Sequence, residues 1–128
     1  MIHKDLRILI ADPQHFQRMM IERSFNRLGY YRIAPVQSLI ELLTLVDSEC
    51  TTFDVVLVNA DLAAGSLNLA GYFLDNPQVR QWLIYNEPLS DAATPDLQTI
   101  ERLMSRVEAS RKQEVVTWNQ ALPMQCRA

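Results

Sequence analysis

A chain of 128 residues with 48 % hydrophobic content is the size of one domain and carries enough apolar matter for a real core, which argues against disorder. Twelve Lys and Arg against fifteen Asp and Glu give a net charge of −3 with no basic block, so the electrostatic footprint of a nucleic-acid binder is missing. No long apolar run suggests a membrane span and no signal-peptide pattern suggests export, so the expected location is the cytoplasm.

In chain order, Leu6-Arg7-Ile8-Leu9-Ile10-Ala11 reads as a buried strand that ends at Asp12-Pro13. That pair predicts a helix start, with Asp12 as N-cap and Pro13 as the first helical residue. Phe16, Met19, Met20, Phe25 and Leu28 are expected on the buried side of this helix, which stops at Gly29. Tyr30 to Val36, with Pro35 near its end, suits an edge strand. Ser38 then caps a helix with a wide apolar face of Leu39, Ile40, Leu42, Leu43, Leu45 and Val46.

Phe53-Asp54-Val55-Val56-Leu57-Val58-Asn59 is the centre of the pattern. An uninterrupted apolar run rich in β-branched Val is how a parallel strand buried on both faces reads. Asn59, at its carboxyl end, falls where open α/β sheets place their crevice. After a small-residue loop, Leu67, Leu69, Ala70, Phe73 and Leu74 predict a short helix closed by Asn76-Pro77. Trp82-Leu83-Ile84-Tyr85 is a further apolar strand, again followed by an amide, Asn86. Strands alternating with helical patterns mean βαβ units, a parallel sheet and helices on both faces.

Thr94-Pro95 opens the longest helix, with Leu97, Ile100, Met104 and Val107 on one stripe and Thr94 as the expected N-cap. From Lys112 to Leu122 two readings stand: a fifth strand at Val115-Val116-Thr117-Trp118, or a terminal helix. Cys50 and Cys126 lie far apart without metal-ligand spacing, which fits reduced thiols.

These pieces resemble the receiver domain of bacterial response regulators. The match rests on Ile8 to Pro13, on Phe53 to Asn59, and on Asp75-Asn76-Pro77-Gln78-Val79-Arg80 leading into Trp82 to Asn86; it covers residues 1–88 best, with 89–128 divergent. The resemblance implies one receiver-like domain over 1–128, a flavodoxin-like doubly wound parallel sheet with strand order 2-1-3-4-5, and an atypical C-terminal third holding the long helix. In that family two acidic residues after the first strand help hold Mg²⁺, an aspartate after the third accepts a phosphoryl group, a Ser or Thr follows the fourth, and a Lys follows the fifth. Here only Asp12 matches. Pro13 stands at the second acidic position, Asn59 at the phosphoacceptor and Asn86 at the hydroxyl position, and Val115 to Asn119 holds no Lys. A proline ring and a neutral amide take away two of three anionic groups that would hold a hard cation, and an amide lacks the nucleophilicity to form an acyl phosphate.

Each residue also has a structural reading. Asp12 is a helix cap or a residual metal ligand; Asn59 and Asn86 are strand-end amides that satisfy local backbone or lock the pocket through neutral hydrogen bonds. Asp61 is a displaced acceptor or a loop residue, and His15 a solvated histidine. Trp82 and Tyr85 pack in the sheet layers, and Met19 and Met20 fill core.

The expected function is a degenerate receiver, a non-enzymatic interaction module without cofactor. Its partner is a sensor kinase, another response regulator, a second-messenger enzyme or a second copy, met through the Leu97, Ile100, Met104 and Val107 stripe. Two alternatives are a working receiver phosphorylated at Asp61 or Asp12, and a flavin-type cofactor protein. The last would want a phosphate-cradling loop after the first strand, where this chain has Asp12-Pro13-Gln14-His15.

Overall fold

The computed structural model describes residues 5–48, 52–87 and 94–118, with side chains as far as Ser110. Four parallel strands, β1 (Ile8–Ala11), β2 (Ile33–Val36), β3 (Val55–Asn59) and β4 (Trp82–Tyr85), form one sheet in the order β2-β1-β3-β4. Four α-helices connect and cover them: α1 (His15–Arg27), α2 (Leu39–Asp47), α3 (Leu69–Leu74) and α4 (Leu97–Trp118). The architecture is α/β, as the alternation of apolar runs and helical patterns predicts. No helix among the described residues is long and apolar enough to cross a membrane.

Why the central strands look as they do follows from the layers. Every residue of β1 and β3 is buried, because each strand has neighbours in the sheet and helices on both faces. Side-chain alternation divides the core in two. Ile8, Ile10, Val55, Leu57 and Tyr85 face Ile21 and Phe25 of α1 and Ile100, Leu103, Met104 and Val107 of α4. Leu9, Ala11, Val56 and Val58 face Leu42 and Val46 of α2 and Leu69 and Phe73 of α3.

The caps explain where the helices begin. Ser38 is the expected cap of α2: its Oγ accepts from the Glu41 N–H, while the Glu41 carboxylate accepts from the Gln37 N–H just before it. Gly29, in a left-handed conformation with φ 97°, closes α1 where a side chain would be strained. Two expected starts are corrected. The α1 helix begins at His15 after Gln14, because the Asp12 side chain accepts the Gln14 N–H two residues on and turns the chain before the helix starts. For α4 the cap is Asp96, whose carboxylate accepts the Thr99 N–H; this bond holds its pKa below the usual carboxylate range. Thr94 lies outside that geometry.

Two expectations about helix faces are corrected in part: Phe25 and Leu28 pack on α1 as expected, and the α4 stripe is apolar as expected but has another role. Phe16 and Met20 are 75 % and 59 % exposed, and the buried stripe of α1 is Ile21 and Phe25 with Leu28 packed beside them. The stripe expected to meet a partner is core: Ile100, Met104 and Val107 are at most 4 % exposed, and Leu97 is half-buried at the helix start. The reason is architectural. Of the two readings for this stretch the helical one holds as far as Trp118, so Val115–Trp118 adds no fifth strand; α4 lies over the sheet beside α1, where its apolar stripe is consumed. Leu122, Asn119 and both cysteines lie outside the described residues.

If α4 is core, Ile100→Ala costs about 2–5 kcal/mol by loss of buried methylene groups and the cavity left behind. Urea unfolding measures this, and an unchanged midpoint would put the stripe back on a free surface.

Candidate functional site

The carboxyl ends of β1, β3 and β4 bring Asp12, Asn59, Tyr85 and Asn86 to one place. Asp12 follows the last residue of β1, and Asn59 ends β3 in register with Tyr85 of β4. By alternation Asp12, Asn59 and Tyr85 belong to the α1/α4 face of the sheet. Asp12 and Asn59 are both fully buried, and no other polar residue among the described ones is.

Buried polar groups need partners, and here the partners are each other. Asp12 Oδ1 accepts from the Gln14 N–H at 2.8 Å. Its Oδ2 accepts from the Tyr85 hydroxyl at 2.5 Å and from Asn59 Nδ2 at 3.3 Å. Asn59 Oδ1 in turn accepts from the Asp61 N–H at 2.9 Å and from Asn86 Nδ2 at 3.2 Å. Asn86 Nδ2 also donates to the Asp61 carboxylate at 2.9 Å. Asn86 reaches this position from a left-handed backbone, φ 63°, which asparagine tolerates better than most residues.

The electrostatic meaning lies in the donors. Asp12 is an anionic side chain type without solvent contact, and the side chains that donate to its carboxylate are a phenol and an amide, both neutral. Arg18 is near, but its guanidinium donates to the Asp12 backbone carbonyl at 2.7 Å. Burial, and then the bond to Asp12, drive the Tyr85 hydroxyl far above the ordinary tyrosine range, so it stays protonated and keeps donating. Asn59 is in the one place where an amide and a carboxylate differ in sign of effect: its Nδ2 donates where an aspartate would present a second acceptor.

The expected residues therefore separate. Asp12, Asn59 and Asn86 converge. Pro13 is exposed at the rim and its ring supplies no ligand atom. Asp61 is exposed, lies in the middle of the short 3₁₀ turn Ala60–Leu62 after β3, and its carboxylate joins the network through Asn86. His15 stands outside the crevice, 3.5 Å from Arg18, and with Arg18, Met19, Glu22, Pro35 and Gln37 lines a shallow groove of about 310 Å³ beside α1. Tyr85 packs in the sheet layer as expected, and its hydroxyl is a further member of the network that the sequence reading omits. The signal for it was present, since a tyrosine at the end of a buried strand needs an acceptor for its O–H.

A hard divalent cation does not fit these residues. Both Asp12 oxygens already accept hydrogen bonds, Asn59 turns its NH₂ toward Asp12, and no group of three His, Cys, Asp or Glu among the described residues is placed to hold a metal. The phosphate-cradling turn is equally short of donors: Pro13 has no N–H and that of Gln14 is given to Asp12. Comparison with protein-family models, curated proteins and solved structures returns no match for the chain.

Two outcomes follow. Asn59→Asp replaces a donor by an acceptor 3.3 Å from Asp12 and should cost roughly 2–4 kcal/mol in urea unfolding; an unchanged stability would mean that the amide is incidental. Tyr85, Tyr30 and Tyr72 all have hydroxyls raised above the ordinary range, by burial first and then by carboxylate partners Asp12, Glu108 and Asp47. Below about pH 10 these phenols are neutral in folded and unfolded chains alike; above it only the unfolded chain ionises, so stability falls as pH rises further. Unfolding midpoints at pH 8 and pH 11 should show that fall, less steeply in Tyr85→Phe.

Proposed function

We propose that the chain is a receiver-type interaction module of the flavodoxin-like class that works without phosphorylation, in bacterial signal transduction, and meets a protein partner. The strand order β2-β1-β3-β4 supports the fold part of this reading, since a receiver-like sheet without its fifth strand has that order. The observation that carries the functional part is the bond from Asn59 Nδ2 to Asp12 Oδ2. Where the resembled family has a nucleophilic carboxylate and a metal ligand facing each other across a cation, this chain has a donor and an acceptor satisfying each other directly. A crevice closed in this way has no nucleophile at Asn59 and no free ligand at Asp12, so it serves as a structural pin for the three strand ends.

The partner classes are those of the resemblance: a sensor kinase, another response regulator, a second-messenger enzyme, or a second copy. With the Ile100, Met104 and Val107 stripe in the core, contact falls to other surfaces. A second reading, a working receiver with a displaced acceptor, has one observation in its favour: Asp61 is exposed and adjoins the crevice through Asn86.

Intact mass spectrometry after incubation with Mg²⁺ and acetyl phosphate separates the two. The mass should not change. A phosphate-sized gain that disappears in Asp61→Asn would replace the first reading by the second.

A further inference from the structure

The two edges of the sheet differ in a way that bears on assembly. On β2, Arg32 accepts from the Ile8 N–H and Val36 from the Asp12 N–H, so by alternation the backbone groups of Ile33 and Pro35 point away from the sheet. Pro35 has no N–H, and the Ile33 N–H is donated to the Tyr31 carbonyl at 3.0 Å. That edge offers no strand donor, a common defence against pairing with another chain.

Among the described residues the β4 edge has no such defence. Val56 donates to the Gln81 carbonyl and is in register with Trp82, so Gln81, Leu83 and Tyr85 pair with β3 while the N–H and C=O groups of Trp82 and Ile84 point outward. The strand contains no charge, no proline and no bulge. Trp82, Leu83 and Ile84 are each partly exposed, although the strand is as apolar as the fully buried β1 and β3.

We infer that β4 is a self-pairing edge: two copies join through antiparallel β4 strands about a two-fold axis, making one sheet continuous across both. Antiparallel pairing requires outward-facing residues to oppose each other, which leaves few registers. Centring on Ile84 sets Trp82 against Asn86, whose backbone is left-handed; centring on Trp82 sets Ile84 against Arg80, which is outside the strand and paired with Asp54. Centring on Leu83 sets Trp82 against Ile84 of the other copy twice, giving about four hydrogen bonds. It also places an aromatic opposite a β-branched side chain on the α2/α3 face and Leu83 against its own copy on the α1/α4 face, pairs that stabilise antiparallel strands. The blunted β2 edge cannot serve as the complement, so the contact is isologous and closes as a dimer without propagating into a fibre. This self-pairing rests on the edge strand alone and is independent of how the crevice is read.

Sedimentation of the full chain should give twice the monomer mass at high micromolar concentration. Ile84→Pro removes an outward N–H while leaving the β3 ladder intact, and should give a monomer with the parent's circular dichroism. Should that variant not fold, Leu83→Cys in a chain with Cys50 and Cys126 changed to serine decides: mild oxidation should link two copies at the axis. Backbone amides of Trp82 and Ile84 should gain exchange protection as concentration rises. A monomeric chain, a dimer unaffected by Ile84→Pro, the absence of a Leu83→Cys link, or protection of these amides at every dilution, as a covering segment of the same chain would give, each overturns the proposal.

Discussion

A carboxyl side chain fully removed from water must be given donors, and Asp12 sits at the junction of three strands with none of them cationic. The amide of Asn59 and the phenol of Tyr85 meet that requirement. Both bonds cross between strands, Asp12 to β3 and Asp12 to β4, so satisfying one buried group also fixes the relative position of the sheet's carboxyl ends. The Gln14 N–H adds the turn into α1, and Asn86 and Asp61 extend the same network to the rim. The crevice is thus a brace made from the residues that in a catalytic crevice would be kept apart.

That brace accounts for the residues at these positions as a set. With an aspartate at position 59 two carboxyl groups would face each other with no amide donor between them; with asparagine one group donates to the other. Once no cation is needed, a second acidic residue after β1 has no purpose, and Pro13 costs nothing there. Asn86, in a left-handed turn, bridges Asn59 and Asp61 where a hydroxyl would be too short to reach both.

Much of this was legible in the sequence because it is local. The Val-rich run of β3, the edge character of β2 marked by Pro35, and the Ser38 cap each depend on a few adjacent residues, and each is found. What was not legible depends on residues far apart. Asp12-Pro13 has the local form of a helix start, but Asp12 is drawn into the crevice by Tyr85, 73 positions away. The apolar stripe of α4 is equally compatible with a core and an interface; only its packing against β1, β3 and α1, elements far away in sequence, decides that it covers the sheet. Phe16 and Met20 illustrate the same limit, since a helix carrying apolar residues on more than one side does not say which side is buried.

The most direct test of the brace is a nitrogen-15 NMR spectrum of the side-chain amides. The Asn59 NH₂ resonances should be slow to exchange with solvent and should not move when Mg²⁺ is added with a phosphoryl analogue such as beryllium fluoride. Rapid exchange at Asn59, or shifts at Asn59 and Asn86 that saturate with added Mg²⁺, would contradict the account and show a crevice that opens to ligands.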